Sequence, residues 1–171
     1  MPRGLGYITM QQQTNSTSCW ITAAQFCMRC LGQPTESVEQ LIQRYQAIDA
    51  SSSSAMSGAG KPATIIEAQG VACRTVRKPT EAILPEISAW VAAGKPVIVG
   101  LTSAQVAGWN HAVVVVGATA NGITLGFKDP ARRNPDSVTY VSGQSVIDGF
   151  KYANAFQLDV FAYCRSVTFV G

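Results

Sequence analysis

The stretch QTNSTSCWITAAQFCMRCL, residues 13–31, is where a polar loop turns into an apolar helix. Trp20, Ala23, Ala24, Cys27 and Leu31 recur at spacings of three and four, which predicts a helix over Trp20 to Leu31 with a wide apolar face. Ser18 or a neighbouring hydroxyl can cap its first amides, and Gly32 can end it. Cys19 therefore sits at the junction, where a thiol faces the positive end of the helix dipole. That position favours the thiolate, the reactive form of cysteine. Further along, Cys27 and Cys30 have the spacing of a redox or zinc half-site. No second pair and no nearby histidine completes a zinc set, and at i and i+3 on a helix they share a face. They read as buried helix residues, or at most one disulfide partner. No metal and no cofactor is expected.

Outward from this helix the pattern changes. A second helix is predicted from about Ser37 to Ile48, with Val38, Leu41, Ile42 and Tyr45 inward. Residues 50–61, rich in Ser and Gly, read as a flexible loop bordering a groove. A short helix near 63–69, a strand over 71–77 and a helix over 84–93 follow. The last third is rich in strands: Val97–Leu101, His111–Ala118, Ile123–Lys128, Val138–Val141 and Val160–Phe169, with a short helix at 142–149. His111–Ala118 has almost no polar residue, so it must be a central strand covered on both faces. Helices first and antiparallel strands second give an α+β fold. We read residues 1–171 as a single domain, with a helical half over about 1–95 and a β half over about 96–171.

Composition narrows the function. Hydrophobic residues are 47% of the 171 and charged residues 13%, which excludes disorder for the body of the chain. A net charge of +3, thinly spread, gives no reason to expect nucleic acid. No apolar run nears the roughly 18 residues a membrane helix needs, so no membrane partner is expected, and the chain reads as a monomer. The N-terminal residues lack a secretory signal. The expectation is a protein that is secreted or translocated without a signal of that kind, or otherwise cytoplasmic. Five cysteines leave at least one thiol free.

The chain's one histidine, His111, begins the most apolar strand, at a sheet end from which a base can reach a helix N-terminus. A hairpin turning at Asn121-Gly122 puts about position 132 opposite His111, so Asp129 falls at the same open end. A carboxylate there can accept the imidazole N–H and select its tautomer. Asn110, Asn134 and Asp136 compete for that role. Gln13, six residues before Cys19, can donate to an oxyanion beside the sulfur, with the Cys19 N–H as second donor.

These residues carry a resemblance. Gln13 and Cys19-Trp20, in a Gln-x5-Cys-Trp pattern, resemble the nucleophile segment of papain-like cysteine peptidases. The strand from His111 to Gly117 is similar to their His strand. Phe127-Lys128-Asp129-Pro130 resembles the Asp-Pro third member of compact bacterial relatives, which include bacteriocin-leader processing peptidases and injected effector proteases. Trp20 directly after the Cys is the papain and effector pattern. The resemblance implies a papain-like fold, with Cys19 on the helical half and His111 on the β half. It also implies thiol-dependent amide hydrolysis, with Cys19, His111, Asp129 and Gln13 as catalytic residues and Trp20, Trp109 and Asn110 in contact with substrate. The expected partner is a protein or peptide, or else peptidoglycan. Alternatives on the same residues are an amidase, deamidase or transglutaminase toxin, and a catalytically silent binding domain.

Overall fold

The computed structural model describes residues 4–12, 18–48, 62–153 and 159–171. Helix α1 spans Cys19–Cys30, and every residue from Cys19 to Met28 is buried. One apolar face was the expectation. The helix is instead covered all round, because α2 (Val38–Ile48), α3 (Pro62–Ala68) and the sheet all pack on it. Ser18 occupies the N-cap position but makes no side-chain cap hydrogen bond. The Thr22 hydroxyl donates to the Ser18 carbonyl at 3.0 Å. At the other end Gly32, at φ +68°, lets the chain turn back, and the Gln33 N–H closes on the Met28 carbonyl at 3.0 Å. Helix α2 is held by a reciprocal pair, the Ser37 hydroxyl accepting from the Gln40 N–H and the Gln40 side chain from the Ser37 N–H.

Seven strands form one antiparallel sheet: β1 (Cys73–Arg77), β2 (Val97–Ser103), β3 (Asn110–Ala118), β4 (Thr124–Lys128), β5 (Thr139–Ser142), β6 (Phe150–Tyr152) and β7 (Val160–Val170). Their order is β1-β7-β2-β3-β4-β5, with β6 paired to β7 beside this path. The fold is the expected mixture of helices and antiparallel sheet. Strand β3 is interior, as its apolar run requires. Val113 and Val115 join Val99, Leu101, Leu125 and Phe127 in an apolar interior closed by Val146 of α5 (Gly143–Asp148) and Phe150 of β6. Helix α1 lies against β3, and α4 (Leu84–Ala92) packs on β3 and on the 120–122 turn.

Three features depart from the expectation. The sheet draws on both parts of the chain, since β1 from the helical part forms its edge against β7. Strand β6, three residues long, was not foreseen. The β3–β4 hairpin turns at Asn121 (φ +59°) and Gly122 (φ +70°) as expected, but a bulge between Val115 and Gly117 shifts its register. The pairing Val114↔Lys128, carried to the strand end, sets position 131 opposite His111. The loop expected over 50–61 lies outside the described residues. Among the described residues, no helix is long and apolar enough to cross a membrane.

Candidate active site

Alternation along β3 and β4 is what gathers the site. His111 has the parity of Val113 and Val115, and Asp129 that of Phe127, which pairs with Val115; all point to one face of the sheet. His111 is 4% exposed and Asp129 is fully buried. Their separation is 2.7 Å between Nε2 and Oδ1. Cys19, the first residue of α1 and 5% exposed, hydrogen-bonds the same imidazole. With Nε2 taken by Asp129, Nδ1 is the ring nitrogen left for the thiol. Three residues from α1, β3 and the end of β4 thus form one line: sulfur, imidazole, carboxylate.

Three donors converge on the Asp129 carboxylate. The Ala131 N–H reaches Oδ1 at 2.9 Å, His111 meets the same oxygen, and the Tyr152 hydroxyl donates to Oδ2. Burial by itself would raise the Asp129 pKa. The facing imidazole and the hydrogen bonds from His111, Tyr152 and Ala131 outweigh it, and the net direction is down. For His111 burial works to lower the pKa, but the charges and hydrogen bonds of Asp129 and Cys19 overcome it and raise it to about 10. The ring is therefore an imidazolium at neutral pH, held between the Asp129 carboxylate and the Cys19 sulfur.

The other four thiols differ. All five cysteines are free. Burial raises Cys27 well above its ordinary range, with Cys30 and Cys73 adding to it. Burial likewise pushes Cys30 to about 12, Cys73 to about 11 and Cys164 to about 12. None of these has an imidazole beside it, and burial keeps them protonated at pH 7.

The remaining sequence candidates separate. Gln13 lies outside the described residues. Trp109 is half-buried, its ring 6.1 Å from that of His111 and 5.6 Å from that of Tyr152, so it covers the imidazole from one side. Asn110 is half-buried and already engaged: its Oδ1 accepts from Arg165 at 3.0 Å and its amide donates to the Gly108 carbonyl. Trp20 corrects the expectation of substrate contact. It is 1% exposed and belongs to the core, because the helix that presents Cys19 is covered on every side. Asp136 and Asn134 serve the loop instead. Asp136 accepts from the Met10 N–H at 2.7 Å, and Asn134 accepts from the Asp136 N–H.

Two groups escaped the sequence reading. Tyr152 reaches the site from β6, a strand too short to show a period. Its only trace is the in-out-in order of Phe150, Lys151 and Tyr152 after Gly149. Lys128 is 2% exposed, with its ammonium donating to the Ile8 carbonyl at 2.6 Å, 3.5 Å from Asp136 and over the Phe26 ring. Being next to Asp129 it points to the opposite face, toward α1, and ties residues 8–10 to β4. Among the described residues no group of His, Cys, Asp and Glu is arranged to hold a metal ion.

A family model described as the Peptidase C39 like family matches residues 6–157. Among solved structures, the chain is similar to the peptidase domain of Streptococcus ComA, a bi-functional ABC transporter involved in a quorum-sensing pathway. The TM-score is 0.61 at 16% identity, covering 96% of this chain and 98% of that one. No curated protein sequence matches.

Proposed function

The chain belongs to the Peptidase C39 like family and is a cysteine peptidase of papain-like fold; on that premise we propose that it cleaves peptide bonds of protein or peptide substrates with Cys19 as nucleophile. The observation that carries this reading is the buried line Cys19–His111–Asp129. His111 Nδ1 takes the proton of the Cys19 thiol, giving a thiolate–imidazolium pair at the N-terminus of α1. The thiolate attacks the substrate carbonyl carbon, and the carbonyl electron pair moves to oxygen. The Cys19 N–H, in the first turn where the helix supplies no acceptor, donates to that oxyanion, and Gln13 is the proposed second donor. When the tetrahedral intermediate collapses, the C–N bond breaks and His111 gives its proton to the leaving amine. The neutral imidazole then takes a proton from water. Hydroxide adds to the thioester, and the thiolate leaves with the carboxylic acid product released. Throughout, Asp129 holds Nε2–H and so keeps Nδ1 toward the sulfur.

The test compares acceptors. Wild-type protein and Cys19→Ala are incubated separately with a proteome extract and with purified peptidoglycan. New peptide N-termini in the extract, from the wild type only, are expected. Release of muropeptides without proteolysis would move the activity to cell-wall amide bonds, and no cleavage of either would count against the enzyme reading.

A further inference from the structure

We propose that Tyr152 is a positioning residue of this site, holding the Asp129 carboxylate in the orientation from which it can serve His111; this rests on the catalytic reading of Cys19, His111 and Asp129. The argument begins with what a fully buried carboxylate needs. Asp129 has two oxygens with several lone pairs between them and no water to fill them. The Ala131 N–H and His111 both meet Oδ1. Oδ2 would be left without its donor if the Tyr152 hydroxyl were absent. A carboxylate held on one oxygen only can rotate about its last bond. With donors on both oxygens it is locked, and Oδ1 stays 2.7 Å from Nε2.

Placement supports the role. Tyr152 is 2% exposed and comes from β6, whose pairing with β7 sets it at the end of the sheet where β3 begins and β4 ends. Its ring lies 5.4 Å from the His111 ring and 5.6 Å from that of Trp109, so one side chain packs on the base and bonds the group that orients it. The titratable groups that act on Asp129 are His111 from β3 and Tyr152 from β6, with Cys19 of α1 beyond the imidazole. Lys128, its chain neighbour, is turned to the other face.

Tyr152→Phe keeps the ring and removes the hydroxyl. The readout is the rate of Cys19 alkylation by iodoacetamide against pH, which needs no substrate. Without the donor, burial raises the Asp129 pKa, so the carboxylate protonates at higher pH and His111 loses its support there. The acidic limb of the alkylation profile should move up by about one to two pH units, the worth of one hydrogen bond to a charged group. Site-specific 3-fluorotyrosine at position 152, a stronger donor in the same shape, should move the limb down. In an Asp129→Asn background, Tyr152→Phe should leave the profile unchanged, since no carboxylate remains to be held. A lower melting temperature with an unmoved profile, or an equal shift in the Asp129→Asn background, would reduce Tyr152 to packing and overturn the proposal. If wild-type Cys19 alkylates no faster than an ordinary thiol, the nucleophile assignment fails and the Tyr152 role falls with it.

Discussion

His111 is the chain's one histidine, so its imidazole Cε1–H signal is unambiguous and its charge can be followed directly. The informative perturbation is Cys19→Ala, alone and combined with Asp129→Asn. In the intact site burial lowers the His111 pKa, while Asp129 and Cys19 raise it from 6.5 to about 10. Taken whole, that gap corresponds to roughly 5 kcal/mol at about 1.4 kcal/mol per unit. Removing Cys19 deletes one contribution but leaves the carboxylate 2.7 Å from Nε2, so the ring should still titrate above 6.5. Replacing Asp129 as well leaves burial unopposed, and the ring should titrate below 6.5. The sign for stability follows. A folded-state pKa above the unfolded one means stability that is fully present below pH 6.5 and lost as pH rises through the folded value. Cys19→Ala should therefore lose only the Asp129 share of that roughly 5 kcal/mol relative to the double variant as pH rises above 6.5. The remaining thiols, raised by burial, add an alkaline loss common to both proteins, so the quantity read is the difference between their urea-unfolding free energies. A His111 resonance titrating at or below 6.5 with Asp129 intact would refute the charged-pair argument. So would a difference in stability that does not change with pH.

Three further outcomes are expected. Substoichiometric iodoacetamide at pH 7, followed by peptide mapping, should modify Cys19 before Cys27, Cys30, Cys73 or Cys164, whose thiols burial keeps protonated; first labelling of any of those would contradict the assignment. Gly122→Ala should cost about 2 kcal/mol or more in urea unfolding, because a Cβ at φ +70° would stand 2.6 Å from the Leu84 carbonyl oxygen, and an unchanged midpoint would mean that α4 yields there. Lys128→Met should lower stability by about 1–3 kcal/mol and speed proteolysis within residues 4–12, since the Ile8 carbonyl loses its donor; equal stability and equal cleavage would show that the ammonium does not hold that segment.

Much of the site was legible because its signals are local or obey simple arithmetic. A thiol where a polar loop becomes an apolar helix marks the N-terminus of that helix whatever surrounds it. An unbroken apolar run from His111 has to be interior, and β3 lies between β2 and β4. Asn121-Gly122 admits two consecutive left-handed residues, so the hairpin, and with it the approach of Asp129 to His111, could be counted out from the turn. Alternation then put both on one face.

What the sequence left open depends on which surfaces cover which. The spacing of Trp20, Ala23, Ala24 and Cys27 shows an apolar face, but α2, α3 and the sheet together cover α1 all round and draw Trp20 into the core. The bulge between Val115 and Gly117 is set by the fit of β3 to β4. Tyr152 arrives through pairing of a three-residue strand with β7, and so short a segment carries no period to read. Asp136 and Asp129 are both carboxylates of one loop region. Only packing decides that Asp136 anchors the backbone of Met10 while Asp129, one strand parity away from Lys128, is buried against the imidazole. The residue types and their order along the chain determined which chemistry was available here. The closing of β6 and β4 around one end of β3 decided which groups meet, because burial and hydrogen bonding act through space between segments the chain order keeps apart.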